Sequence, residues 1–201
     1  MLQYIITSGD SDKIVNQTKQ VLDGGCRWIE IKAPKEMDDI KLGEVIDEVL
    51  PLIREKEATL IIASRITLAK EKGADGVHLY ENDVPPTAAR MELEAGPIIG
   101  MSVKSVNTVE SNLYFDIDYF RYEPLFEEDK ENLKTLEEIS RFLREKKSDK
   151  PLAAAGGISK NNLYGVLAAG AEGIAVDDTI SNENDSLAAS ISCLINELGK
   201  S

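Results

Sequence analysis

Histidine and cysteine are scarce in this chain, and that scarcity closes off several kinds of chemistry. One histidine, His78, and two cysteines, Cys26 and Cys193, stand among 201 residues. Two cysteines without ligand spacing build neither a zinc site nor a disulfide framework. Such usage predicts a reducing, cytoplasmic setting. A basic block is missing as well: 23 Lys and Arg face 36 Asp and Glu, for a net charge of −13. Nucleic-acid binding wants a basic face and is disfavoured. No apolar run reaches the roughly 18 residues of a membrane span. The first residues lack a signal-peptide pattern, so neither membrane insertion nor export is expected. No low-complexity linker interrupts the chain, which predicts a single domain over residues 1–201. The acidic balance gives no long-range help in attracting phosphorylated ligands. Local amides and a few lysines must hold any such ligand against the overall field.

What the chain does have is a regular beat. Short apolar runs fall at 3–7, 27–32, 58–63, 76–80, 97–102, 117–122, 151–155 and 173–177. Amphipathic stretches fall at about 10–22, 38–56, 65–73, 84–94, 105–113, 130–147, 159–169 and 183–198. Ile40, Val45, Ile46, Val49, Leu50 and Ile53 make an apolar stripe at helical spacing, and Leu133, Leu136, Ile139, Phe142 and Leu143 make another. The strands are rich in Ile, Val and Ala and do not alternate, as strands of a parallel sheet covered on both faces read. GGCRWIEIK (24–32), KGADGVHLY (72–80) and AGAEGIAVD (169–177) repeat one turn: a helix-ending glycine, a short linker, then a strand. Eight strand and helix pairs in one chain this short predict a compact (β/α)8 barrel. An open doubly wound sheet is the alternative, but the loop after the first strand, TSGDSDK, carries one glycine instead of a glycine-rich fingerprint.

The segment PLAAAGGISKNNLYGVLAAGAEGIAVD (151–177) says most about chemistry. Gly156-Gly157 follow a strand directly, where a backbone can approach an anion closely. Ser159 is placed as the N-cap of the following helix. In a barrel, function gathers at the carboxyl ends of the strands. Those ends offer Thr7-Ser8, then Glu30, Lys32 and Lys35, then Ala63-Ser64. They go on with His78, Glu81 and Asp83, then Ser102 and Lys104, then Arg121, Glu123 and Lys130. Gly156-Gly157 and Asp177-Asp178 complete the rim. Each has a plainer reading. Glu30 and Lys32 share a strand face and fit a structural ion pair. His78 fits a satisfied core histidine, Asp83 a cap for the helix beginning near Pro85, and Ser102 a helix cap. Asp177-Asp178 oppose a phosphate unless a cation intervenes. The segment 123–133 reads as the longest loop.

Three stretches resemble thiamine phosphate synthase and its paralogue, the thiazole tautomerase: KGADGVHLYENDVP (72–85), PIIGMSVKS (97–105) and the segment from 151 to 176. The resemblance covers nearly the whole chain and implies a (β/α)8 barrel of thiamine biosynthesis. It implies small phosphorylated heterocycles as ligands, and joining of an aminopyrimidine methyl diphosphate to a thiazole phosphate. By position it implies Asp83 as a magnesium carboxylate, Ser102 as a diphosphate contact and Gly156-Gly157 as the thiazole-phosphate cradle. Lys32, Lys35, Lys104 and Lys130 are then the catalytic cations, with Glu30, Glu123, Asp177 and Asp178 against the substrates. The family's Gln-x-Arg-x-Lys reads Glu30-Ile31-Lys32-Ala33-Pro34, its Asn-Asp reads Ala63-Ser64, and its Gly-Pro reads Glu123-Pro124. Two alternatives follow from these replacements. One is a tautomerase-like or otherwise altered enzyme, with Lys104, Glu30 and Glu123 as acid–base groups. The other is a non-catalytic paralogue that binds a phosphorylated ligand. The sequence leaves a homo-oligomer open.

Overall fold

The computed structural model describes residues 1–125, 131–181 and 186–200. Eight parallel strands close into a barrel in sequential order, β1 to β8, with β1 pairing β8. They are β1 (Leu2–Ile6), β2 (Trp28–Ile31), β3 (Thr59–Ala63) and β4 (Gly76–Leu79), then β5 (Ile98–Val103), β6 (Tyr119–Tyr122), β7 (Leu152–Ala155) and β8 (Gly173–Val176). The helices between and after them are α1 (Ser11–Asp23), α2 (Asp39–Glu55), α3 (Ile66–Lys72) and α4 (Pro86–Leu93), then α5 (Val106–Asn112), α6 (Glu131–Glu145), α7 (Leu163–Ala168) and α8 (Leu187–Leu198). A 3-10 turn at Asp178–Ile180 follows β8. The (β/α)8 barrel expected from the beat of the sequence is therefore the observed fold, and the β1–β8 pairing that closes it excludes an open sheet.

Capping sets several helix starts. Asp10 accepts from the Lys13 amide at 2.9 Å, Asp38 from the Lys41 amide at 2.8 Å and Ser105 from the Thr108 amide at 3.2 Å. Along α2, Leu42, Val45, Ile46, Val49 and Ile53 face the barrel, whereas Ile40 is 79% exposed and drops out of the expected stripe. Helix α7 also starts later than expected. The residues after Ile158 form a turn, and Asn162, not Ser159, occupies the cap position. The Ser159 amide donates to Asn162 Oδ1 at 2.8 Å, so the asparagine organises the loop.

The strands pack two different faces. Ile6, Ile29, Ile31, Leu60, Ile62, Val77, Ile99, Phe120 and Ile174 belong to one continuous apolar core with the helices. Ile5, Ala155 and Ala175 form a small separate cluster inside the barrel. Beside Ile61 and Ala153, the interior also holds polar side chains: Gln3, Glu30, His78 and Arg121 are fully buried there. Gly100 makes this possible, because a Cβ at that position would lie 2.1 Å from the Tyr119 ring. The expected burial of both strand faces holds, but one of them is a hydrogen-bonded polar layer.

Candidate active site

The polar layer is built around Arg121 on β6, which is fully buried. Its Nη1 donates to Glu30 Oε2 at 2.5 Å and to Gln3 Oε1 at 2.9 Å. Its Nη2 donates to the Tyr80 hydroxyl at 2.6 Å and its Nε to Glu123 Oε2 at 3.2 Å. Burial alone would lower the Arg121 pKa. The carboxylates of Glu30 and Glu123 overcome that and hold the group charged, above its ordinary value. Glu30 is the counter-ion beneath the cavity and also accepts from Gln3 at 3.1 Å and from Tyr80 at 2.7 Å. The Glu30–Lys32 pair suggested by their shared strand face does not form. Lys32 instead stands over the Tyr80 ring, 3.8 Å from its centroid.

A second chain of hydrogen bonds leaves this centre. His78 bonds Tyr119 through Nδ1 at 2.9 Å and Ser102 through Nε2 at 2.8 Å. Burial, reinforced by Arg121, keeps the His78 pKa well below its ordinary value, so the ring is neutral. Ser102 donates its proton to Glu123. Its oxygen therefore accepts from His78, which fixes the proton on Nε2 and leaves Nδ1 to accept from Tyr119. The Tyr119 hydroxyl in turn accepts from Gln3 at 3.3 Å. His78 is the satisfied core histidine of the plainer reading. Ser102 is a network member, since Ser105 caps α5.

Above this layer lies a cavity of about 420 Å³ at the carboxyl ends of the strands. Among its walls are Lys32, Ser102, Lys104, Glu123, Gly156, Gly157 and Asp177. The amides of Gly156, Gly157 and Ile158 donate to no acceptor among the described residues. Gly156 has φ +103°, and a Cβ there would come within 2.9 Å of the Leu125 nitrogen. The turn thus needs glycine, and it brings three amides without an acceptor to the cavity wall. A neighbouring cavity of about 400 Å³ shares Thr7, Lys32, Tyr80 and Asn82 with the first and adds Lys35 and Asp83. Lys32 stands where the two meet.

The expected site residues thus divide between two lobes and the floor. Glu30 lies in the floor, and Lys35 and Asp83 in the neighbouring lobe. Asp178 lies outside both cavities, in a groove beside α1, where it pairs with Lys13 at 3.3 Å. Asp177 spends one oxygen on the amide and hydroxyl of Thr179, at 3.0 and 2.6 Å. Lys130, with the middle of the 123–133 loop, lies outside the described residues. Asp83 does not cap α4, whose start carries no side-chain cap. Its Oδ2 instead accepts from the Tyr80 amide and the Ser64 hydroxyl, both at 2.7 Å. Lys104 pairs with Glu81 at 2.6 Å in solvent, and that contact raises its pKa. A lysine acting as a base needs the opposite shift.

Sequence reasoning missed Gln3, Tyr80 and Tyr119, and it placed Arg121 on the rim instead of in the floor. The available signal was the run YFRY in β6, where a lone arginine sits between two aromatic residues that pack outward. Among the described residues no group of three or more His, Cys, Asp or Glu could hold a metal on its own. Asp83 keeps Oδ1 free and offers one carboxylate oxygen. That fits magnesium held mostly by a ligand's phosphate oxygens, the common arrangement for this ion.

The comparisons agree with this architecture. Residues 3–180 match the family described as thiamine monophosphate synthase. A thiamine-phosphate synthase of Bacteroides thetaiotaomicron is 30% identical over 191 residues, covering 92% of this chain and 91% of that protein. One from Nitrosospira multiformis is 32% identical, covering 90% of this chain and 79% of the relative. The solved thiamine phosphate pyrophosphorylase of Pyrococcus furiosus superposes with a TM-score of 0.85 at 27% identity, covering 98% of this chain and 95% of that one. A polar-floored barrel with a glycine turn at its mouth, matched along almost its whole length, makes this chain a member of the thiamine monophosphate synthase family.

Proposed function

We propose that this chain couples an aminopyrimidine methyl diphosphate with a thiazole phosphate to give thiamine phosphate and diphosphate. Its family places it in thiamine biosynthesis. The observation that carries the specific reading is the pair of adjoining lobes joined at Lys32. One lobe has the Gly156-Gly157 turn for a monophosphate, and the other has Lys35 and Asp83 for a diphosphate. Two phosphorylated substrates held this way bring their reacting ends together between the anion sites.

The reaction asks little of acids and bases. The bond between the pyrimidine methylene and the diphosphate oxygen breaks, and its electron pair leaves with diphosphate. The thiazole nitrogen then gives its lone pair to the methylene carbon, and the positive charge ends on the thiazolium ring. No proton moves in either step. Fixed charges are what such a displacement needs, and the described site supplies them. Lys32 and Lys35 face the departing diphosphate. Magnesium held by Asp83 would add positive charge there when bound. Lys104 remains protonated against Glu81. His78 is neutral with both nitrogens occupied. Neither His78 nor Lys104 is thus poised as the base of a proton-shuttling tautomerase.

A second reading, ligand binding without turnover, rests on Ala63-Ser64, which leave Asp83 as the single carboxylate of its lobe. Purified protein incubated with both substrates, with and without magnesium, separates the two. Thiamine phosphate formed in a magnesium-dependent way supports synthase chemistry. Binding of both substrates with no product supports the second reading.

A further inference from the structure

We infer that Glu123 reads the amino-bearing end of the ligand: its carboxylate accepts hydrogen bonds from the exocyclic amino group of the heterocycle and faces the positive charge that develops there. The inference rests on the two-lobe reading above and names what the Glu123 wall of the first lobe recognises.

Three observations carry it. First, position: Glu123 lines the cavity and its side chain keeps 16% of its surface exposed, while the other residues of the floor centre, Glu30 and Arg121, keep none. It is the one carboxylate of the buried network that a ligand can touch. Second, charge: the Arg121 guanidinium stands 3.2 Å away and Ser102 donates to the same carboxylate. Burial would raise the Glu123 pKa, but these partners hold it below its ordinary value, so the group is an anion at neutral pH. Third, orientation: the order of protons from Tyr119 through His78 and Ser102 commits the Ser102 proton to Glu123. Glu123 is left with acceptor capacity and nothing to donate. The cavity surface is thus divided. Lys32, Lys104 and the glycine amides take the anionic parts of a ligand. The Glu123 face takes N–H donors and repels phosphate.

That division suits an amino-substituted heterocycle carrying a phosphorylated methylene. As the carbon–oxygen bond breaks, the cation delocalises onto the amino group, and the hydrogen bond to Glu123 strengthens as its N–H becomes more acidic. Because Glu123 is already held by Arg121 and Ser102, it needs no reorganisation at that moment.

The test uses two pairs of probes on the full chain. One pair is the aminopyrimidine methyl phosphate and its analogue lacking the amino group. The other is 4-aminobenzyl phosphate and benzyl phosphate. Titration calorimetry of the wild type is expected to favour the amino member of each pair by about 10- to 100-fold, the range of a hydrogen bond to a charged group. Glu123→Gln is expected to erase most of that preference and leave inorganic diphosphate bound as tightly or more tightly. The wild-type half needs no variant, so a variant that fails to fold does not blunt it. Equal affinity within each pair overturns the inference, as does full preference retained in folded Glu123→Gln. Amino preference that is lost in folded Glu123→Gln, without any thiamine phosphate formation, upholds Glu123 and refutes the synthase reading. Turnover with no amino preference does the reverse, and binding of no probe refutes both.

Discussion

Replacing Arg121 with methionine removes the cation on which the barrel floor is organised. Arg121 makes hydrogen bonds to Gln3, Glu30, Tyr80 and Glu123, and it and Glu30 are fully buried. Without it Glu30 keeps two neutral donors, Gln3 and Tyr80, and no positive partner. Breaking a buried pair from one side costs about 3–5 kcal/mol. For a domain of this size each kcal/mol lowers Tm by about 2–4 °C, so Arg121→Met is expected to melt about 6–20 °C below the wild type. Adding Glu30→Gln removes the uncompensated charge and should return at least half of the lost stability. Calorimetric melting of wild type, single and double variants at one pH reads all of this. An Arg121→Met protein that melts within 2 °C of the wild type, or a double variant no better than the single (by about 1 kcal/mol), refutes the coupled-floor argument.

Other consequences follow from named residues. His78 is neutral in the fold but takes a proton in the unfolded chain as pH falls below about 6.5. The unfolded state then binds more protons, so wild-type stability should drop by up to about 1.4 kcal/mol per pH unit in that range. Denaturant titrations of His78→Gln should lack that slope between pH 6.5 and pH 5. Gly156→Ala meets the Leu125 nitrogen as well as a positive φ and should cost about 1–3 kcal/mol of stability. Gly157→Ala, at φ +61°, should cost about 1 kcal/mol in melting and weaken thiazole phosphate binding. Asp83→Asn keeps an acceptor for Tyr80 and Ser64 but removes the charge. It should raise the magnesium concentration needed for half-maximal product formation at least tenfold, and an unchanged requirement would exclude Asp83 as a ligand. Lys104→Met should weaken ligand affinity a few-fold, since its ion pair with Glu81 sits in solvent.

Much of the fold was legible because its signals are local. Helical stripes, capping aspartates and the glycine turns before β2, β4 and β8 all act within a few residues. The polar floor was not legible because its partners are distant: Glu30 and Arg121 are 91 positions apart. On β2 alone, Lys32 looks like the natural partner of Glu30. Barrel closure instead brings β6 across the interior and lifts Lys32 one layer higher, over Tyr80. Strands of four to six residues give too few inward positions for alternation to stand out, so a continuous apolar outer face hides the polar one. The glycine turn was legible as a candidate anion site because it needs only backbone. Ser159 misled because the cap rule assumes that the helix starts at once, whereas a turn intervenes and Asn162 takes the position.

The central claim is that fixed charges at two adjoining lobes join two phosphorylated substrates. It is tested most directly by the stoichiometry of the reaction. Diphosphate release and thiamine phosphate formation should be measured together, with each substrate alone and with both, in the presence of magnesium. One diphosphate is expected per thiamine phosphate, with formation of product dependent on both substrates. Folded protein that binds both substrates and releases neither product would contradict it.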